Sequence, residues 1–236
     1  MPTASPMSYL RRPYARLARH RYKLLMASLL LLVLGSGFAP ATVDPHVFAA
    51  LLLQNLAVGV LVFAEERPWV LLVCLLVVLG LEGAAQLRGW PSVRAYTGIV
   101  YSVFCFSITL RILRKVLGAG RVSTELLAAT MCGFVLLGMV GTFLFVLIDV
   151  VQPGAFAHVP PEPGTVQALN YFSFVTLLTV GYGDIVPLSN VARKATVLLG
   201  LVGHFYDLFV VSVIVGKYVG GVVEKVEDDR AAPPEK

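Results

Sequence analysis

Six apolar stretches leave this chain few folds to choose from: they run near Leu24–Phe38, Val47–Ala64, Trp69–Leu81 (extending past Glu82 to about Leu87), Ala95–Leu117, Leu126–Ile148 and Val191–Gly221. A helix needs about 20 residues to cross a hydrocarbon core about 30 Å thick, because each residue rises about 1.5 Å. Inside that core every backbone N–H and C=O must be satisfied by the chain itself, which selects helices over open sheets and loops. Six stretches near this length therefore read as an all-helical protein with six membrane crossings. The first is short, and Tyr22 and Lys23 extend it by snorkelling to the interface. Composition excludes the water-soluble alternative: 57% of the 236 residues are apolar and 14% charged, against roughly 45–50% and about 25% in soluble domains. The mean hydropathy is +0.80.

Charge sets the expected orientation. Lys and Arg number 19 against 14 acids, a net +5. Arg11, Arg12, Arg16, Arg19, Arg21 and Lys23 all precede the first apolar run. Basic residues beside a crossing helix favour the cytoplasmic side, so both termini are expected there, in a multi-pass plasma membrane protein of a bacterial inner membrane type. Small residues through Gly35–Ala39 also fit a signal peptide loosely, but an uncleaved first span is the better fit, because cleavage would leave five crossings. Arg111, Arg114, Lys115 and Arg121 suit the inside, while Arg88 and Arg94 in the outer loop run against the rule. Cys74, Cys105 and Cys132 lie within apolar runs without CxxC or Cys/His spacing, so they read as lipid- or core-facing thiols.

Between the fifth and sixth spans, Asp149–Thr165 is rich in Pro and Gly and reads as an irregular exposed loop. The apolar segment after it, Val166–Leu178, has 13 residues, too few to cross, and so reads as re-entrant. It runs into Thr179-Val180-Gly181-Tyr182-Gly183-Asp184. Glycines at 181 and 183 reach backbone conformations that a Cβ resists, so successive carbonyls can turn to one side and replace the water shell of an ion.

The pattern T-x-x-T-x-G-Y-G with the following Asp184 and Pro187, set between apolar spans, resembles the pore signature of the tetrameric potassium channels. The resemblance covers about Leu126–Gly221. It implies K+ bound by the carbonyls of Thr179, Val180, Gly181 and Tyr182, with Gly183 completing the filter and the Thr179 hydroxyl adding the innermost ring. Thr176, Tyr171 and Asp184 are the implied supports behind it, with a Tyr171–Asp184 hydrogen bond expected. The chain departs from the pattern at Val175, where some bacterial channels carry glutamate, and at Leu178, where many relatives have a hydroxyl. The first departure removes a filter-stabilising interaction; the second makes the cavity roof apolar.

On the sixth span, Gly203 falls where the family often has a bending glycine, and close packing against the pore helix is the competing reading. His204 and Asp207, three residues apart on one helical face, align with cavity-facing positions of the family. Their competing reading is a hydrogen bond to each other or to a neighbouring helix. Ionisable groups at this depth usually mark function, and Asp207 resembles the cavity acid of some inward-rectifying channels.

Strong voltage sensing is not expected. It needs a cation about every third residue through the field, and Ala95–Leu110 carries none. Glu82 reads as a charge satisfied locally, by Arg88 or by water near the helix end, more than as a gating part. The expected organisation is a basic cytoplasmic tail (1–23), a four-helix module that is sensor-like or plain scaffold (24–121), a pore domain (122–222) and a short acidic cytoplasmic tail from 223, irregular over Glu224–Lys236. The functional expectation is passive K+ conduction by a homotetramer of this chain and three identical subunits. Membrane lipid is its surroundings; cofactor, nucleic acid and soluble substrate are not expected, K+ being the permeant ion. A poorly selective cation pore and a non-conducting regulatory subunit are the alternatives. An enzyme is disfavoured, since no nucleophile–base pair, metal-ligand cluster or phosphate cradle is visible.

Overall fold

The computed structural model describes residues 21–35, 44–63, 80, 91–119, 123–161 and 164–231. Their helices are α1 (Arg21–Gly35), α2 (Asp44–Phe63), α3 (Pro91–Gly118), α4 (Thr124–Val151), α5 (Thr165–Leu177) and α6 (Asn190–Ala231). Two short strands, β1 (Phe156–Ala157) and β2 (Val186–Pro187), pair antiparallel, Phe156 opposite Pro187 and Ala157 opposite Val186.

The expected first, second, fourth, fifth and sixth spans fall on α1, α2, α3, α4 and α6. The third, Trp69–Leu87 with Cys74, Glu82 and Arg88, lies outside the described residues apart from Gly80, as do the basic tail through residue 20 and residues 232–236. Two described helices are long and apolar enough to cross a membrane, Thr124–Val151 and the Asn190–Gly220 part of α6. The acidic tail departs from expectation: α6 continues as helix through Glu224 to Ala231, because Glu, Lys, Arg and Ala are good helix formers and extend a helix already nucleated by the long apolar run before them.

The centre of the fold is α4. Ser123 caps its start, its side chain accepting from the Leu126 amide at 3.1 Å, and Glu125 places negative charge in the first turn, where the helix dipole favours it. One stripe of α4 (Leu126, Ala129, Cys132, Leu136, Met139, Phe143) is buried with Leu25, Leu29, Leu56, Tyr101 and Ile108 of α1–α3. A second stripe (Leu137, Phe145, Val146, Ile148) is buried with Phe156, Leu169, Phe172, Leu177 and Leu199. A single apolar helix thus serves two cores, with α1–α3 on one side and the loop, α5 and α6 on the other.

Buried polar groups in the first core are paired. Asn55 donates to Ser28 Oγ at 3.1 Å, and the Tyr101 hydroxyl donates to Asn55 Oδ1 at 2.7 Å, joining α1, α2 and α3. At one end of this module the Lys115 ammonium sits 4.2 Å from the centre of the Tyr22 ring, and the Cys132 thiol donates to the Tyr22 carbonyl. Cys105 and Cys132 are free and buried.

The loop after α4 is not uniformly exposed. Ala155 and Phe156 are buried, and Phe156 stacks edge-on with Phe145 (5.4 Å) and Phe172 (5.6 Å). Apolar side chains in the middle of a Pro/Gly-rich stretch pull it onto the second core and allow β1 to pair with β2.

Candidate functional site

The site is built on α5. Its Asn170 donates to Thr142 Oγ1 (3.2 Å) and its Ser173 to the Gly138 carbonyl (2.7 Å), both on α4. Glycines make this approach possible: a Cβ at Gly138 would meet the Phe174 ring at 2.4 Å, and one at Gly141 the Ser173 oxygen at 2.4 Å. The seating of α5 is therefore written into α4 as much as into α5 itself.

Past Leu177 the chain turns and unwinds. The Leu178 amide donates to Phe174 O (2.9 Å) and the Thr179 amide to Thr176 O (3.1 Å); the Val180 and Gly181 amides both reach Val175 O, at 2.9 and 3.4 Å. Spare carbonyls at the end of a helix thus hold the next four amides. From Thr179 on, every second residue is left-handed: Thr179 at φ +57°, Gly181 at +59° and Gly183 at +77°. Alternating handedness flips successive peptide planes, which lets neighbouring carbonyls face the same side. At 181 and 183 glycine adopts this conformation freely; at 179 it costs roughly 1–2 kcal/mol, as for any residue with a Cβ.

At the far end of this segment, the Tyr171 hydroxyl stands beside the Asp184 carboxylate and favours its ionised form. That hydroxyl, helped by the backbone amides of Ile185 and Asp184 and by nearby His158, holds the Asp184 carboxyl below the usual carboxylate range against the opposing effect of desolvation. His158 Nδ1 lies 2.9 Å from the Asp184 carbonyl oxygen. Arg193 Nε donates to Pro187 O at 3.2 Å.

The remaining candidates lie on α6. Gly203 is buried, and a Cβ there would meet Leu177 Cδ1 at 2.4 Å, so close packing against α5 has a contact to support it. The Tyr206 hydroxyl donates to Thr130 O at 2.7 Å, turning that residue to α4. A helix rotates about 100° per residue, so His204, two positions back, points nearly opposite, and Asp207 lies at the flank. Both are exposed in the single chain, and they are not bonded to each other. Thr176 contributes its backbone carbonyl, and Val180 and Tyr182 are exposed.

The site brings Thr179–Asp184, Thr176 and Tyr171 into one unit, with Gly203 one layer behind. The sequence reading did not assign Val175 O, Asn170, Ser173 or His158. Nothing in the residue type marks a valine for its carbonyl, whereas the polar pair Asn170 and Ser173, three apart in an apolar segment, was a readable sign of a buried partner.

Residues 133–219 match a family model described as ion channel. Over 112 residues the chain is 34% identical to the two pore potassium channel b of Oryza sativa subsp. japonica, covering 47% of this chain and 28% of that one. Over 52 residues it is 42% identical to a Rhodopseudomonas palustris protein named as a potassium channel protein, covering 20% of this chain and 13% of that one. The chain thus spans less than a third of the length of either relative. The region matched by the family model carries most of α4, the loop after it, α5, the turn that follows and most of α6.

Proposed function

We propose that this chain, a member of the potassium channel superfamily, is one of four identical subunits around a K+-selective pore that passes the ion down its electrochemical gradient. The observation that carries this reading is the run of alternating left-handed residues at 179, 181 and 183, because it is the backbone form that offers one carbonyl per residue to an ion on a common axis. K+ then exchanges its water shell for the carbonyls of Thr179, Val180, Gly181 and Tyr182, with the Thr179 hydroxyl at the inner end and Gly183 at the exit. No cofactor enters this mechanism; K+ is the substrate.

One strand can surround an ion on one side only, and carbonyls turned to lipid would go unsatisfied at several kcal/mol each. Four copies supply the rest of the ring. The exposed face of α6 suits that assembly: 18% of its apolar span is buried in the single chain, against 56% of α4, and Val197, Leu201, Phe205 and Leu208 stand uncovered. The last turn of α5 ends at the inner end of the filter, so its negative pole lies where a cation would wait. Leu178 makes that roof apolar.

Voltage has little to act on. Ala95–Leu110 of α3 is uncharged, and Lys115 is packed over Tyr22. The described helices of the module over 24–121, α1–α3, act as a scaffold for a pore in the cell membrane, with both termini cytoplasmic.

The test is Rb+ uptake into liposomes driven by a K+ gradient, with Na+ and Gly181→Ala as controls. In the single chain no atom lies within 4 Å of a Cβ at Gly181, so the substitution acts on the backbone conformation. Selective Rb+ uptake that this variant abolishes supports the reading. Uptake that does not discriminate Rb+ from Na+ selects a poorly selective cation pore, and no uptake in any lipid selects a non-conducting subunit.

A further inference from the structure

We propose that His158 is a positioning residue for the outer end of the filter: its bond to the Asp184 carbonyl holds the backbone just past Gly183, and its protonation from outside lowers K+ entry. The proposal rests on the K+ pore reading and adds to it a residue from a distant loop.

The argument begins with the bond. A carbonyl oxygen only accepts, so the Nδ1 that lies 2.9 Å from Asp184 O carries the hydrogen. In the neutral ring, Nε2 then keeps the lone pair and takes the next proton. That proton arrives without breaking the bond to Asp184, which becomes charge-assisted. The loop and the filter exit are joined along their whole length. Leu188 N and Ser189 N both donate to Ala155 O (2.8 and 3.3 Å), Phe156 and Ala157 pair with Pro187 and Val186, and His158 closes the series at Asp184. Phe156 fixes the far side of this ladder in the aromatic cluster with Phe145 and Phe172. His158 itself is left-handed, φ +61°, a conformation that a residue with a Cβ keeps when its neighbours on both sides are fixed.

A histidine in this place is exposed and reachable from the outer solution. The charged and titratable groups on the elements around it are Asp184 and Tyr182 of the filter exit, Tyr171 of α5, Asp149 near the end of α4, and, at the start of α6, Lys194 and Arg193, the latter turned to Pro187 O. Histidine is the side chain whose charge changes between about pH 5 and 8. Four imidazolium groups around the mouth oppose the attraction that four Asp184 carboxylates exert on an incoming cation.

The experiment records K+ current and the K+/Na+ permeability ratio of the reconstituted full chain while only the external pH is varied between about 5 and 8. The wild type is expected to lose inward K+ current several-fold on acidification. His158→Gln, which keeps a donor for the carbonyl but takes no proton, is expected to give a current that no longer follows external pH. His158→Ala, which removes the donor, is expected to lose K+/Na+ discrimination several-fold as well. Should this variant fail to assemble, His158→Gln carries the test. A wild-type pH profile in His158→Gln overturns the protonation, and unchanged discrimination in His158→Ala overturns the positioning. A wild type that conducts with no external pH dependence also overturns the protonation. A wild type that conducts no K+ at any pH overturns instead the pore reading on which the proposal rests.

Discussion

Lys217 of α6 donates from Nζ to the carbonyl oxygen of Val116, 2.6 Å away, and to those of Leu117 (2.9 Å) and Ala119. The first two are spare carbonyls at the end of α3 and the third lies just past it, where the helix dipole favours a cation. A residue of α6 thus caps the end of α3, about 100 positions away in sequence. Replacing Lys217 with Met removes a charged donor from several acceptors at once and should cost about 2 kcal/mol, the range for hydrogen bonds to charged groups. Denaturation in detergent is the measurement, with Lys217→Arg expected to recover part of the loss.

A second prediction separates packing from bending at Gly203. With Leu177 Cδ1 only 2.4 Å from where a Cβ would stand, Gly203→Ala forces α5 and α6 apart, and overpacking of this kind costs about 1–3 kcal/mol. Shortening the neighbour should relieve it, so Gly203→Ala with Leu177→Ala is expected to be more stable than the sum of the two single changes predicts. Purely additive costs would return the weight to a hinge.

The relation between α4 and the site shows which parts of the molecule the sequence could disclose. Apolar runs of near-spanning length announced α4 and α6, and the glycines at 181 and 183 announced the left-handed backbone after α5, because each rests on a local property of the residues themselves. The bond from His158 to Asp184 depends on β1 meeting β2 across some thirty residues, and two-residue strands carry no periodicity to read. Likewise Gly138 and Gly141 look like ordinary glycines of an apolar helix until Phe174 and Ser173 are seen against them. The acidic end of α6 shows the opposite error: composition suggested an irregular tail, while the preceding helix supplied the nucleus that such a segment lacks alone.

Acid should reach the filter exit through Asp184 only at low pH. Its carboxyl is held below the usual range chiefly by the Tyr171 hydroxyl. A carboxylate with a lowered folded pKa stabilises the fold above its unfolded value of about 3.9, and that contribution is lost as the pH falls through the folded value. Tyr171→Phe removes the main cause and moves that loss to higher pH. Measured in the His158→Gln background, where no imidazole titrates at the mouth, Rb+ uptake after external acid exposure should fail at a higher pH in Tyr171→Phe than in its parent. Coincident profiles would mean that the hydroxyl is not what sets the acid limit.

The inner side has its own expected pH response, distinguishable by sidedness. Tyr206 is fixed toward α4 by its bond to Thr130 O, and the helical rotation of about 100° per residue therefore carries His204 away from the outer helix and toward the axis of the proposed tetramer. Asp207 lies between that direction and the face packed on α5, so it modulates the potential there more than it binds an ion directly. Acidifying only the cytoplasmic side puts up to four positive charges beside the K+ path, which should lower the current, and His204→Gln should flatten that response while leaving the external one intact. Asp207→Asn should deepen it, because the carboxylate that offsets the imidazolium charge is gone. A cytoplasmic acid response that survives His204→Gln unchanged would place the titrating group elsewhere on the inner face and return His204 to a packing role.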